Sequence, residues 1–264
     1  MTSGRELTAR VVLLGASNLA RSLPVWLSLL PRTFPGERLD ILLAHGHGRS
    51  YGKSSSIPGR TLPSILDCGL WPALEARPAL PTYVLITDVG NDLGYGFDPE
   101  TILGWVQTCL NRLQAYSPRT VLTGLPTVSL ARLDPWQLML FQWLFFPFAE
   151  KRSWLEVQQI VWTLERRLRD FARARLVAFV EPRPSWYALD PIHIRSRARE
   201  EAFRTFFSRW QRPAARRSTG EAAAPRGVRP RLLLMPEKRW LLGREQGRPQ
   251  PSERLGHWGE LSIY

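Results

Sequence analysis

The stretch Arg10-Val-Val-Leu-Leu-Gly-Ala-Ser-Asn-Leu-Ala20 carries the decision about fold. Four apolar residues in succession, Val11–Leu14, read as a strand covered on both faces, because a strand with one wet face would alternate apolar and polar positions. Gly15 and Ala16 are small enough for a tight turn, and Ser17 follows at the point where the chain enters a helix read over Leu19–Leu30, with Pro24 inside its first turns. A doubly buried strand running straight into a helix is the opening half of a parallel β-α-β unit. A serine at such a turn presents its hydroxyl at the carboxyl edge of the sheet. The plainer role for Ser17 is to cap the helix, as serines often do.

The pattern repeats outward from there. Short apolar runs at Leu39–Ala44, Thr82–Thr87, Thr120–Thr123 and Leu176–Val180 read as four further strands. Helical pieces are expected over Leu62–Glu75, Glu100–Ala115, Leu155–Ala172 and Ser196–Trp210. In the third of these, Val157, Ile160, Val161, Leu164, Leu168 and Phe171 share one face. Five strands alternating with helices predict a three-layer α/β domain over residues 1–210, with a five-stranded parallel sheet and ligands at the carboxyl ends of the strands. From Gln211 the composition turns to Pro, Gly, Arg and Ala. Residues 211–264 are therefore expected to be a basic, mostly disordered tail with two apolar islands, Leu232–Met235 and Trp240–Leu242.

Composition narrows the function classes. The chain has 264 residues, 44% of them hydrophobic, enough for one sizeable core. The longest apolar run, Trp136–Phe148, is too short to cross a bilayer; it reads as core, with an acyl pocket or a dimer patch as the alternatives. No stable membrane insertion is expected, and a homo-oligomer stays open. The first residues do not form a secretory signal, and two cysteines, Cys68 and Cys109, give no disulfide framework, so the expected location is cytoplasmic. The formal net charge of +13 comes from dispersed arginines that are not gathered with aromatics into a stripe, so no nucleic-acid partner is expected.

The groups with chemical potential all follow strands or precede the last helix. Asp190 and His193, in LDPIHIR, are spaced so that the carboxylate can reach the imidazole across a Pro-containing turn, fix its tautomer and leave the other ring nitrogen to accept a proton. Asn91, in DVGNDLG, can donate its side-chain N–H to an oxyanion, with Gly90 permitting close approach and Asp92 holding the loop. Gly46 and Gly48, in LAHGHGRS, offer further backbone donors. Taken singly, each fragment also has a structural reading as a turn, a cap or a packed histidine.

Taken in order, Ser, Gly, Asn and Asp-x-x-His resemble the SGNH (GDSL-like) serine hydrolase family over roughly residues 10–210. The resemblance implies a flavodoxin-like fold with strand order 2-1-3-4-5 and hydrolysis of esters or related acyl bonds without a cofactor. It implies Ser17 as nucleophile, Asp190 and His193 as its base system, and an oxyanion hole from the Ser17 N–H, Gly48 (or Gly46) and Asn91. The substrate would be a small-molecule, lipid or carbohydrate ester. Gly124-Leu-Pro126 resembles the family's fourth-strand exit. The Asp usual before the serine is Ala16 here, and the last block reads DPIHI.

Three other readings compete. A non-catalytic binding or scaffold protein on the same fold is the runner-up. A metal-dependent phosphodiesterase would draw on His45, His47, Asp88, Asp92 and His193. A phosphate loop in GRSYGKSSS fails on spacing, since three residues separate Gly48 from Gly52 and five separate Gly46 from it, where four are needed.

Overall fold

Every residue of the first strand, Ala9–Leu14 (β1), is buried, and its side chains divide by parity. Val11 and Leu13 face one core together with Ile41, Leu43 and Leu85; Val12 and Leu14 face a second core with Leu42, Val84 and Ile86. That division is the physical meaning of an unbroken apolar run: period two with both faces covered. The computed structural model describes residues 6–57, 59–145, 151–210 and 235–264. After β1 come α1 (Ser17–Arg21), α2 (Leu23–Thr33), β2 (Leu39–Ala44), β3 (Ser55–Ile57), β4 (Arg60–Leu62), α3 (Leu70–Glu75) and β5 (Thr82–Ile86). Then follow α4 (Asn91–Gly94), α5 (Pro99–Gln114), β6 (Arg119–Thr123), α6 (Thr127–Ala131), α7 (Pro135–Phe145), α8 (Trp154–Ala174), β7 (Ala178–Val180) and α9 (Arg199–Ser208). The last elements are β8 (Arg239–Leu241), β9 (Arg244–Gln246), β10 (Glu253–Arg254) and β11 (Gly259–Ile263).

Helices α1, α2 and α9 cover one face of the sheet, and α3, α5 and α8 cover the other. Local chemistry sets their starts. Asp98 caps α5 by accepting from the N–H groups of Glu100 and Thr101, both at 2.9 Å, with Pro99 at the first helical position, where its missing N–H costs nothing. Ser153 and Glu156 form a reciprocal capping box at the start of α8. The helix expected over Leu19–Leu30 divides at Ser22, because Pro24 suits a first turn better than an interior.

The main sheet runs β10-β11-β2-β1-β5-β6-β7. The five strands expected from the sequence stand in it in the order 2-1-3-4-5, all parallel. Two corrections follow. The sheet has seven strands instead of five, because β11 adds in parallel to the outer edge of β2, register Gly259↔Leu39 through Ile263↔Leu43, and β10 adds antiparallel to β11. The expectation of a mostly disordered tail from residue 211 therefore fails for residues 235–264; residues 211–234 lie outside the described residues. Leu261, Ile263 and Tyr264 are buried in the two cores, so Gly259–Tyr264 is an alternating strand whose partner edge was not visible in a local reading. The Gly/Ser-rich segment after β2 carries β3 and β4. Its β3–β4 hairpin pairs with β8 and β9 in a second, four-stranded sheet.

The return of the chain to β2 reaches toward the candidate site. The guanidinium of Arg49, wholly buried, donates to the carbonyls of Tyr264, Pro63 and His45. Arg77 donates to the Tyr264 hydroxyl and the Ser262 hydroxyl, both at 2.9 Å. Removing residues 235–264 is accordingly expected to give insoluble or unfolded protein, the opposite of what a dispensable tail would do. Leu261→Ala should lower stability by about 2–5 kcal/mol in urea denaturation; wild-type stability in either variant would mean that β11 is not part of the core.

Candidate active site

The carboxyl ends of β1 and β5 lie side by side, and the residues leaving them make the site. Gly15 is required by close approach: a Cβ there would sit 2.7 Å from the Thr87 methyl. Ser17 then opens α1. Ala16, not Ser17, is the helix N-cap, so capping does not account for the serine. Its Oγ stands 2.9 Å from His193 Nε2, and His193 Nδ1 stands 2.6 Å from Asp190 Oδ2. Two residues 176 positions apart in the chain are thus in direct contact, and both are buried. The three residues predicted together from sequence are brought together.

Asp190 is itself oriented. Its Oδ1 accepts from the N–H groups of Ile192 and His193 at 3.2 and 3.1 Å. Partial burial pulls its carboxyl upward, but the hydrogen bond and charge of His193 and these two amides outweigh it and hold Asp190 below the ordinary value. Arg21 lies 3.7 Å from the same carboxylate.

The framework that fixes Ser17 was not foreseen. Asp88 adopts φ +61, a left-handed conformation in which Asp and Asn are the commonest non-glycine residues. Its Oδ2 accepts from the amides of Ala16 (2.8 Å), Asn18 (3.0 Å) and Leu19 (3.3 Å), passing over that of Ser17. Its Oδ1 accepts from Asn18 Nδ2 at 2.8 Å. Asn18 in turn brackets His193: Nδ2 donates to the Ile192 carbonyl at 2.8 Å, and Oδ1 accepts from the Ile194 amide at 2.7 Å. One Asp and one Asn therefore lock the serine turn and the histidine loop to the end of β5. The hint in the sequence was an Asp at a strand exit two residues before a glycine, in TDVG, which pattern placed only in a rival metal set.

Of the residues expected in the oxyanion hole, Ser17 and Asn91 line one cavity, together with Gly90, whereas neither Gly46 nor Gly48 does. Asn91 Nδ2 donates to the Arg49 carbonyl at 3.1 Å, so the loop holding Gly48 rests against Asn91. Gly48 itself has φ +64, and its carbonyl accepts from the Tyr95 hydroxyl. Asp92 takes the Tyr51 amide at 3.0 Å and is fully buried, as expected of a loop-holding residue. Trp186 packs inside the core beside Phe206, while Tyr187 lines the cavity. Beyond Asn91 the walls become apolar, with Val89, Leu93, Leu125, Leu130, Val157 and Ile160. The Gly124–Pro126 turn is set by buried Glu165, which accepts the Leu125 amide at 2.7 Å and pairs with Arg169; a side chain at residue 124 would strike that carboxylate. Burial pushes the Glu165 carboxyl up.

The rival site sets do not assemble. Among the described residues no three His, Cys, Asp or Glu side chains converge as metal ligands. Cys68 and Cys109 are buried free thiols.

No protein-family model matches the chain, and no curated protein matches it. Solved structures do match. One shares 14% identity at a TM-score of 0.52 over 77% of this chain and 97% of its own. A carbohydrate acetylesterase family member from Sinorhizobium meliloti shares 12% over 76% of this chain and all of its own, TM-score 0.49. An aryl esterase from M. smegmatis shares 15% over 76% and 97%, TM-score 0.49. At such identities the likeness is one of fold alone, a parallel sheet between helices.

Two predictions follow from the carboxylates. Asn tolerates the backbone of residue 88 as Asp does, so Asp88→Asn isolates the charge; it should cost on the order of 1–3 kcal/mol, and Asp88→Ala about 1–2 kcal/mol more. Equal denaturation midpoints for wild type and both variants would remove Asp88 from the framework. Burial raises the Asp92 carboxyl from 3.8 to about 6, against weaker help from Ser50 and the Tyr51 amide, and its Oδ1 has no hydrogen-bond partner. Between those two values the native state binds more protons than the unfolded state, so this group costs stability as pH rises, and the cost is complete above the folded value. Asp92→Asn should therefore stabilise by on the order of 1–3 kcal/mol at alkaline pH and by little near pH 4. Urea titrations at the two pH values would show a constant difference if Asp92 were instead an ordinary ionised carboxylate.

Proposed function

We propose that the chain is a serine hydrolase of the SGNH type that cleaves an ester or related acyl bond. The observation carrying this reading is the chain of contacts Ser17 Oγ–His193 Nε2 at 2.9 Å and His193 Nδ1–Asp190 Oδ2 at 2.6 Å, with Ser17 lining a mostly apolar cavity. A serine hydroxyl alone is a weak nucleophile; a neutral imidazole in contact with it takes its proton as Oγ attacks the acyl carbon. Asp190 keeps that imidazole in the tautomer whose Nε2 can accept, and stabilises the imidazolium that results. The tetrahedral oxyanion falls to the Ser17 N–H, which Asp88 leaves unclaimed while taking its neighbours, and to Asn91 Nδ2 on the facing wall. Asn91 would exchange its bond to the Arg49 carbonyl for one to the oxyanion. Gly48, expected as the third donor, does not line the cavity and is left out of this oxyanion hole. His193 then returns the proton to the leaving alcohol, the acyl group remains on Ser17, and a water deprotonated by His193 releases the acid. The apolar walls beyond Asn91 suit the acyl portion of the ester.

The test is covalent. Wild type should label with a fluorophosphonate probe and hydrolyse p-nitrophenyl acetate with no added metal. Ser17→Ala should abolish both while keeping its thermal midpoint, and Asp190→Asn should cut turnover by roughly 10⁴ by favouring the wrong tautomer. Wild-type turnover in Ser17→Ala, or dependence on a divalent cation, would overturn the reading; a folded wild type that neither labels nor turns over would point to a non-catalytic binding protein on this fold.

A further inference from the structure

Helix α7 carries no charged residue along Pro135–Phe145, yet four of its large apolar side chains are exposed. Trp136, Met139, Leu140 and Trp143 are spaced i, i+3, i+4 and i+7, which puts them on one face, and each is more than half exposed. The sequence reading of this run as core fails for these four residues; 146–150 lie outside the described residues. On neighbouring α8, Leu155 is 64% and Trp162 48% exposed. The segment leading into α7 is tied to α8: Trp154 Nε1 donates to the carbonyl of Leu133, two residues before α7, at 2.8 Å, and Gln158 donates to that of Leu130 on α6 at 3.4 Å. Trp136, Met139, Leu140 and Trp143 therefore form an exposed apolar face on α7, and Leu155 and Trp162 are exposed apolar side chains on α8. Monomeric proteins seldom leave a contiguous apolar patch of that kind without a partner.

We infer that this face docks onto an anionic phospholipid surface. Three observations favour a lipid surface over a second copy of the chain. Cations flank the apolar helix in sequence, Arg132 before it and Lys151 and Arg152 after it, and the Lys151 ammonium sits 4.9 Å above the Trp143 ring, so an aromatic and a cation are presented together. The formal charge of +13 attracts an anionic surface and sets two copies against each other. The cavity lined by Ser17 is also lined by Leu130, Lys151 and Arg152, in the segments that precede and follow α7. Tryptophans at the margin of an apolar helix face suit the headgroup boundary of a bilayer. Among the described residues no helix is long and apolar enough to cross one, which makes the contact peripheral.

The docking face is separate from Ser17, Asp190 and His193, so binding is measured without catalysis. The full chain as Ser17→Ala is sedimented with vesicles of phosphatidylcholine alone and of equimolar phosphatidylcholine and phosphatidylglycerol. It should pellet with the mixed vesicles, much less with the neutral ones, and be released by salt. Adding Trp136→Ser and Trp143→Ser should weaken the binding at least about tenfold, as should Leu155→Ser with Trp162→Ser made separately. In the Ser17 background both pairs should leave p-nitrophenyl acetate turnover and the thermal midpoint unchanged. Absence of pelleting with mixed vesicles, or equal pelleting of wild type and both pairs, overturns the assignment. So does a wild-type dimer in gel filtration that the tryptophan pair converts to monomer, which would give the face to a second copy. Vesicle binding by a chain that fails to turn over ester would leave the docking face standing and remove only the hydrolase reading.

Discussion

The Asp88 carboxylate is the fixed point of this molecule. It stands at the end of β5 and reaches across to the end of β1, where it gathers the amides on both sides of Ser17. Three helix-start N–H groups that would otherwise need water are satisfied by one buried-edge anion, a stronger arrangement than three neutral hydrogen bonds. Asn18 extends the same anchor to Ile192 and Ile194, the neighbours of His193. The spacing between a serine and a histidine from opposite ends of the domain is thereby set by hydrogen bonds to a sheet that cannot move, and not by the stiffness of two loops.

Much of the fold was legible because burial on both faces leaves a plain trace. Val11–Leu14, Leu39–Ala44 and Thr82–Thr87 are apolar runs too short for helices, and each became a central strand. Helix α8 was equally plain, since its stripe at period 3.6 is the contact surface with the sheet. What could not be read depends on partners distant in sequence. Gly259–Ile263 has weak strand character on its own and acquires its place only from the open edge of β2. Ser55–Leu62 reads as a Ser/Gly loop until β8 supplies a neighbour. At the site, Ser17, Asn91, Asp190 and His193 were visible because each stands at a strand exit or before the last helix in a fixed order. Asp88 and Asn18 were not, because their work is done through backbone amides that any residue could carry.

The apolar helix α7 marks the opposite limit. Its sequence has no periodicity of its own, being apolar at nearly every position, so pattern could not say which side meets the protein. Its placement next to the cavity follows from residues before and after it, through the Trp154–Leu133 contact and the capping box at Ser153.

The pairing of β11 with β2 also sets an order of events in synthesis. Arg49, just beyond β2, finds its carbonyl partner in Tyr264, 215 positions later. At the usual pace of translation that interval is roughly 10–40 s. During it β1, β5, β6 and β7 can assemble on the inner side of β2, while its outer edge, Leu39–Ala44, still lacks β11. An unpaired apolar edge is a template for any other extended chain nearby. The nascent protein thus spends that interval with its most association-prone strand half-covered, and a pause in translation before residue 259 lengthens the exposure in direct proportion.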